Sequence, residues 1–585
     1  MRPVSGRSGV ALVLAIAFTL GGCARAVPGP AGSPMSGKRA ESMRGMVAAS
    51  QPDAAAAGRE ILDAGGNAMD AAVATAFALS VTDVSQTGIG GGGSLTYFDA
   101  RTRAADHLSF YPRSGASPEW SVGGRPDAAT PGRAAGVPGM VAGLLAAHGK
   151  HGRLSRAQVL APAIRLARDG FTVTPLLSRT IASSAQRIGT DSIVRERFLP
   201  GGEALRPGDR LVQPELAATL VRISELGVSA FYEGEVAAGL ASAVQAAGGL
   251  ITAEDLGNYR VATMRPLCTS WRGFTVLSAP PPMGGAPTLE MLNLADVTGL
   301  ADAGGFTDRP SAVTTFADIH RIATSDGSTW RGDPTVLAVP ARGVASRRYA
   351  EERARMIGPR ADSIVVAGDP RDADRASPPA ACAADPYPAA EGAMVAPTGA
   401  PARDANESFT SHLSVVDAEG NAVSATTTVG VLFGSGVYTG GFFLNSSASN
   451  FDDRTRGPDR YTNTTMAPTM VLEGERVRLV VGAAGSQYIQ GATVQVTLRI
   501  LAFGEDAGAA VAAPRIQASP RGLDVEVEPG FSSEVYAALV ARGYRPLSRA
   551  ADIAFGAVHA VHVRRDGMRV GAADPRRDGA ALGQR

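Results

Sequence analysis

Thr410 lies near the head of a β-patterned run, Asn406 to Asp417, that carries Phe409-Thr410-Ser411-His412-Leu413-Ser414-Val415-Val416. A second such run, Asn421 to Thr428, follows Ala418-Glu419-Gly420, and a glycine in that third place suits the left-handed slot of a three-residue hairpin. Pairing Asp417 with Asn421 sets Thr410 opposite Thr428. Alternation then gives one face of Thr410, His412, Ser414, Thr426 and Thr428, and another of Leu413, Val415, Val423 and Ala425. Threonine is common in strands for packing reasons alone. The chemical alternative is a nucleophile. A threonine hydroxyl needs a base beside it, and a threonine at a chain N-terminus carries one in its α-amine, whose ordinary pKa is about 7.7–8.0. While Phe409 is attached, that nitrogen is an amide and accepts no proton. Attack of the Thr410 hydroxyl on the Phe409 carbonyl, followed by hydrolysis of the ester, would release the amine and switch the base on.

The surrounding sequence is organised around that cut. Residues 369–409 are dominated by Ala, Pro, Asp and Gly, with little apolar periodicity, and read as a solvated linker that ends at Phe409. Before it, residues 45–368 alternate helical and strand-like patterns. Helices are expected from Asp53 to Leu62, from Asn67 to Val81 with Asn67 as N-cap, from Leu160 to Arg168 and from Glu215 to Leu226, and a strand from Ser94 to Ala100. After it, residues 410–585 read as a run of strands with a late helix near Ser533 to Arg542. At the start, Arg2 and Arg7 precede an apolar run too short to span a bilayer, so residues 1–22 read as a signal peptide. That segment closes on Leu20-Gly21-Gly22-Cys23, which resembles a bacterial lipobox in which Cys23 becomes the lipid-bearing N-terminus; the alternative is a chance Cys after an ordinary signal peptide. Residues 23–44 are then a flexible tether, and the protein is expected outside the cytoplasm, held to a bacterial cell membrane by lipid.

Composition limits the alternatives. The chain has 585 residues, 45% hydrophobic and 19% charged, and a formal net charge of +1. A nucleic-acid partner is not expected from so even a balance. Three cysteines do not make a disulfide framework. The run Gly88-Ile89-Gly90-Gly91-Gly92-Gly93 satisfies a dinucleotide-binding pattern but leads into a strand where that fingerprint needs a helix, so it reads as a tight turn. His559 and His562 fall on opposite faces of a strand and make a poor metal pair, and His148 and His151 are expected to be solvent-exposed at a helix end. No Ser-His-Asp arrangement with a nucleophile elbow is visible.

Several ordered segments carry a family likeness. They are Gly45 to Pro52, Gly65 to Ala74, Gly88 to Gly93, Gly136-Val137-Pro138-Gly139, Leu160 to Ile164, Glu254 to Tyr259, Pro280-Pro281-Pro282, the Thr410-Ser411-His412 hairpin and Ala573-Asp574-Pro575-Arg576-Arg577-Asp578-Gly579. In this order and spacing the chain resembles the γ-glutamyltranspeptidase family from about Gly45 to near its C-terminus. The resemblance implies an α+β fold, the four-layer αββα sandwich of N-terminal-nucleophile hydrolases, built jointly by a large and a small subunit after self-cleavage between Phe409 and Thr410. It implies Thr410 as nucleophile and Thr428 as the hydroxyl that hydrogen-bonds it. It also implies an oxyanion loop at Gly485 and Ser486, where Ser486 replaces a second glycine. Neither metal nor organic cofactor is implied. The expected partners are a small γ-glutamyl donor such as glutathione and a water or amine acceptor.

The donor site departs from the family. The resemblance places Thr464 and Thr465 where members have a serine pair for the donor carboxylate, and Arg113 as replacement for a carboxylate-binding arginine whose local spacing is shifted. Ser447, Ser449 and Asn450 stand where the family holds a Gln or Glu and two Asp against the donor ammonium, and Gly430 replaces a pocket Asn. Losing a carboxylate opposite an ammonium removes a contact worth roughly 1.5–3 kcal/mol. Two further readings therefore stand beside γ-glutamyl transfer: an amidase for glutaryl-type donors without an α-amine, and an unprocessed surface binding lipoprotein of the same fold.

Overall fold

The computed structural model describes residues 38–122, 130–377, 409–451, 454–553 and 555–585. The signal peptide, Cys23 and most of the expected linker lie outside them. Two seven-stranded sheets carry the fold, and every pairing within them is antiparallel. In chain order their strands are β1 (Lys38–Ser42), β2 (Met46–Ala49), β3 (Gly92–Asp99), β4 (Ala104–Phe110), β5 (Ala262–Met264), β6 (Leu267–Trp271), β7 (Phe274–Ser278), β8 (Phe409–Val416), β9 (Ala422–Gly430), β10 (Thr469–Glu473), β11 (Arg476–Ala484), β12 (Ala557–Val563), β13 (Arg569–Ala573) and β14 (Ala580–Gly583). One sheet runs β14-β2-β8-β9-β3-β4-β5, and the other β1-β13-β12-β11-β10-β7-β6.

Helices cover both outer faces. Against the first sheet lie α1 (Pro52–Asp63), α2 (Ala68–Thr82) and α3 (Met140–His151), with α4 (Arg156–Asp169) packed on α2 and α5 (Pro214–Leu226) on α4. Against the second lie α6 (Gly285–Val297), with α7 (Pro310–Trp330) packed on it, and α8 (Ile489–Thr497), while α9 (Ser533–Arg542) packs on α7. This is the four-layer αββα sandwich. Helix α2 is buried along its whole length, so its start must be fixed locally: Asn67 caps Met69 and Asp70, and Asp70 returns a bond from the Asn67 N–H at 2.9 Å. Leu413, Val415, Val423 and Ala425 join the core beneath α1 and α2.

The opposite face of the β8–β9 hairpin meets the second sheet with polar groups. Ser414 donates to His559 O at 3.0 Å, Ser424 to Val481 O at 3.1 Å, and the His412 ring lies 2.8 Å from Thr426 Oγ1. Gly482 makes this possible, since a Cβ there would sit 2.3 Å from the His412 ring. Beyond this polar patch the sheets meet through Met46, Val416, Met470, Val480 and Val561.

Four expectations need correction. The region after 410 also contains α8 and a further helix, Ala507–Ala512. Helix α8 is buried on all sides and rich in β-branched residues, so its sequence reads like a strand. His148 and His151 are not exposed: their side chains keep 10% and 12% of their surface and lie 3.3 Å from Asp70 and 3.0 Å from Asp106. Two boundaries also differ. The end of the expected tether forms β1, paired with β13, and the expected linker opens with a helix, Arg371–Ala376, where Asp374 accepts from the Gly343 N–H at 2.8 Å.

Candidate active site

The hairpin register holds as expected from the Asp417–Asn421 bond (3.0 Å) to the Ser411–Thr427 pair. It then breaks. Phe409 pairs with Gly430, so a bulge separates Thr410 from the simple opposition with Thr428. Gly430 takes a left-handed φ of 94°, and a Cβ there would lie 2.2 Å from Ser446 Oγ, so the asparagine expected of the family would not fit without displacing Ser446. The bulge turns the Thr428 hydroxyl onto the bond to be cut: it donates to Phe409 O at 2.5 Å and accepts from Gly430 N–H at 2.7 Å. In the intact chain, Thr428 thus addresses the Phe409 carbonyl rather than the nucleophile.

Thr410 itself is 3% exposed. Its Oγ1 accepts from the Gly485 N–H at 2.9 Å, which puts a backbone donor of the loop after β11 at the nucleophile. Gly485 has φ 124° and Ser486 φ 51°. The left-handed conformation costs a residue with a Cβ roughly 1–2 kcal/mol, so Ser486 is held there by its surroundings. One constraint is Thr465, whose hydroxyl donates to Ser486 O at 2.8 Å.

Behind the nucleophile lies a charged support that the sequence reading left without a role. The Arg577 guanidinium donates to Thr410 O, and Ser411 donates to Asp83 Oδ2 at 2.5 Å while Gln86 holds Oδ1 at 2.7 Å. Asp83 is buried. Burial pushes its pKa up to about 6, against the pull of Arg577 and the two hydrogen bonds. Arg577 is fixed in turn by the rest of its motif. Asp574 accepts from Arg515 (2.8 Å), the Val558 N–H (2.7 Å) and Arg576, and Arg576 also reaches Glu528. The motif was legible as family likeness, but nothing in it pointed to Thr410.

The expected substrate-binding residues divide. Thr464 and Asn450 converge on the Tyr111 hydroxyl, with Asn450 Nδ2 at 3.5 Å. Ser447 does not join them: its hydroxyl and N–H are both given to Asn445 Oδ1, which braces the Gly90 and Gly136 carbonyls through its amide. Arg113 is also engaged elsewhere, donating to Asn258 O at 2.7 Å with its guanidinium over the Tyr259 ring. Tyr111 was missed, yet strand parity would have found it. It follows His107 and Ser109 on the face turned from the Leu108 and Phe110 core. Among the described residues, no group of three or more His, Cys, Asp or Glu is placed to hold a metal, and no helix is long and apolar enough to cross a membrane.

Comparison with known proteins gives a consistent picture. The family model described as gamma-glutamyltranspeptidase matches residues 54–584. The chain is 32% identical over 556 residues to the glutathione hydrolase proenzyme of Bacillus subtilis (strain 168), covering 92% of this chain and 91% of that protein. It is 33% identical over 566 residues to the acylase ACY 1 proenzyme of Pseudomonas sp. (strain V22), covering 93% and 94%. Its fold superposes on the crystal structure of a cephalosporin acylase from Bacillus halodurans with a TM-score of 0.79, at 27% identity, covering 96% of this chain and 99% of that one.

Proposed function

The chain belongs to the γ-glutamyltranspeptidase family and is an enzyme of it, and on that premise we propose a self-processing threonine amidohydrolase and acyltransferase with Thr410 as nucleophile. The observation that carries this reading is the meeting of three groups: Thr410 Oγ1, the Gly485 N–H upon it, and the Thr428 hydroxyl on the Phe409 carbonyl. In processing, Thr410 Oγ1 attacks the Phe409 carbonyl carbon while the Thr428 hydroxyl stabilises the oxygen that gains charge. The C–N bond breaks, the hydroxyl proton passes to the Thr410 nitrogen, and an ester joins Phe409 to Thr410. Water hydrolyses it to a Phe409 carboxylate and a free N-terminal threonine.

The mature site repeats the attack on a donor amide. The new α-amine takes the Thr410 hydroxyl proton and passes it to the leaving amine. The acyl group then moves from Thr410 to water or to an amine acceptor. Thr428, freed of the Phe409 carbonyl, is left to hydrogen-bond the nucleophile.

We assign as donors the amides of short dicarboxylic acids, γ-glutamyl compounds included, with a weakened grip on the α-ammonium. The segment Ser447-Ala448-Ser449-Asn450 offers no carboxylate, and Ser447 is occupied by Asn445. Two similar proteins bear acylase names, one of them a cephalosporin acylase, which accords with a donor range wider than glutathione. On the processed enzyme, kcat/KM for glutaryl anilide is expected to be at least comparable to that for γ-glutamyl anilide. Asn450→Asp should shift that ratio towards γ-glutamyl by roughly tenfold, the worth of one charge-assisted contact. A strong native γ-glutamyl preference that this substitution leaves alone would show that other groups bind the ammonium.

We further propose that Cys23 carries lipid and holds the enzyme outside the cytoplasm. Cys23→Ala should then appear in the soluble fraction of lysed cells, and continued sedimentation with membranes would refute the anchor.

A further inference from the structure

Arg331 is a guanidinium with no anion of its own. It follows α7, and its backbone N–H closes the last turn on Gly327 O at 3.1 Å. The side chain is only partly exposed, and its Nε is shut off from solvent without an acceptor. None of the ion pairs among the described residues includes it. The nearby Asp333 is spent on the Tyr461 N–H (2.9 Å) and on Thr335. An arginine at a helix end is ordinarily solvated or paired; this one is half-buried, has no ion pair among the described residues, and is open to an anionic partner.

The neighbourhood shows what partner fits. Asp333 ties the segment after α7 to Tyr461, and Thr462 donates to Pro112 O at 3.4 Å, so the stretches carrying Arg331, Thr464 and Tyr111 are bound side by side. Arg454 braces the same turn through Thr329 O and Arg331 O. The Arg331 charge is felt at the Tyr111 hydroxyl, and around that hydroxyl stand Thr462, Thr464 and Asn450. This is one cation among neutral groups that can donate hydrogen bonds. From Thr464 the chain leads directly to the nucleophile, through Thr465 on Ser486 O and Gly485 N–H on Thr410 Oγ1. Arg113, the cation expected from the sequence, is taken up by Asn258 and Tyr259.

We propose that Arg331 binds the free carboxylate of the donor's acyl chain, with Thr464 and the Tyr111 hydroxyl completing the grip, and so selects dicarboxylic donors over neutral ones. The proposal rests on the donor class assigned above. It gives the pocket a carboxylate anchor from the end of α7 instead of from the segment after β4.

The test uses the processed full-length enzyme, its Arg331→Met and Arg331→Lys variants, glutaryl and valeryl anilides as donors, and glutarate as a binding probe in calorimetry. The expected result is that Arg331→Met lowers the glutaryl-to-valeryl ratio of kcat/KM at least thirtyfold, chiefly through KM. Glutarate binding should weaken at least tenfold, and Arg331→Lys should recover part of both. A ratio within threefold of wild type, or a Lys variant no better than Met, would overturn the proposal. If the Met variant fails to self-cleave, Lys and Gln variants carry the same comparison. Glutarate that binds the wild type and loses affinity in the variants, without any turnover of glutaryl anilide, would uphold Arg331 and reject the donor class. Failure of glutarate to bind the wild type would reject Arg331 itself.

Discussion

Thr410→Ala runs as one full-length band on a denaturing gel and turns over no anilide donor, while the wild type resolves into two fragments. That is the expected result, and its size follows from the chemistry. The substitution removes the oxygen that accepts from the Gly485 N–H, and with it both the self-cleavage and the acyl-enzyme. Loss of a covalent nucleophile of this kind costs at least about 10⁴-fold in turnover. Thr410→Ser keeps the hydroxyl and, once cut, the amine, so it should retain part of both activities. The smaller wild-type fragment should begin Thr-Ser-His on N-terminal sequencing. A cut elsewhere would move the nucleophile. A wild type that stays intact on incubation would leave the binding lipoprotein as the better reading.

The second large effect is expected at Asp574, which supports the turn behind the nucleophile. It is fully buried between Arg515 and Arg576, and Arg576 is shared with Glu528. Burial alone would raise its pKa; the two guanidinium groups and the Val558 and Arg576 N–H groups override it and hold the carboxyl below the usual range. A group depressed in this way stabilises the fold above its unfolded pKa, and the contribution is lost as pH falls through the folded value. Asp574→Ala leaves two buried cations short of an anion, which should cost about 3–5 kcal/mol. The urea midpoint should fall accordingly. Self-cleavage should slow as well, because Arg577 on the same turn no longer has a fixed approach to Thr410 O. An unchanged midpoint would mean that Glu528 alone satisfies the pair.

Local signals in the sequence carried much of this architecture. The Gly420 turn fixed the hairpin, alternation separated the Leu413 face from the His412 face, and Asn67 marked the start of α2 because its cap is made within three residues. What escaped depends on contacts between distant segments. The bulge at Phe409 arises from Gly430 and the Ser446 hydroxyl beside it, a meeting that no hairpin pattern contains. Helix α8 is buried on every side and carries no amphipathic stripe to recognise. Arg113 and Arg331 are both arginines near Gly or Pro; only the folded chain shows that one is engaged by a backbone carbonyl and an aromatic ring, and the other is not. Ser447 aligned with a substrate ligand, yet its hydroxyl bonds to a residue two positions away.

The strand order has a consequence for how the protein is made. In one sheet β8 and β9, which follow the cut, lie between β2 and β3, which precede it; in the other, β10 to β13 lie between β1 and β7. The two products of a cut at Phe409 are therefore interleaved like the fingers of clasped hands. Neither can leave without opening both sheets, so dilution will not part them. Neither holds a complete sheet alone. The interleaving, and not the covalent link, is what holds the two products together after a cut. Once cut, the enzyme persists on the height of its unfolding barrier, and a molecule that does unfold has lost the tether that first closed the loop.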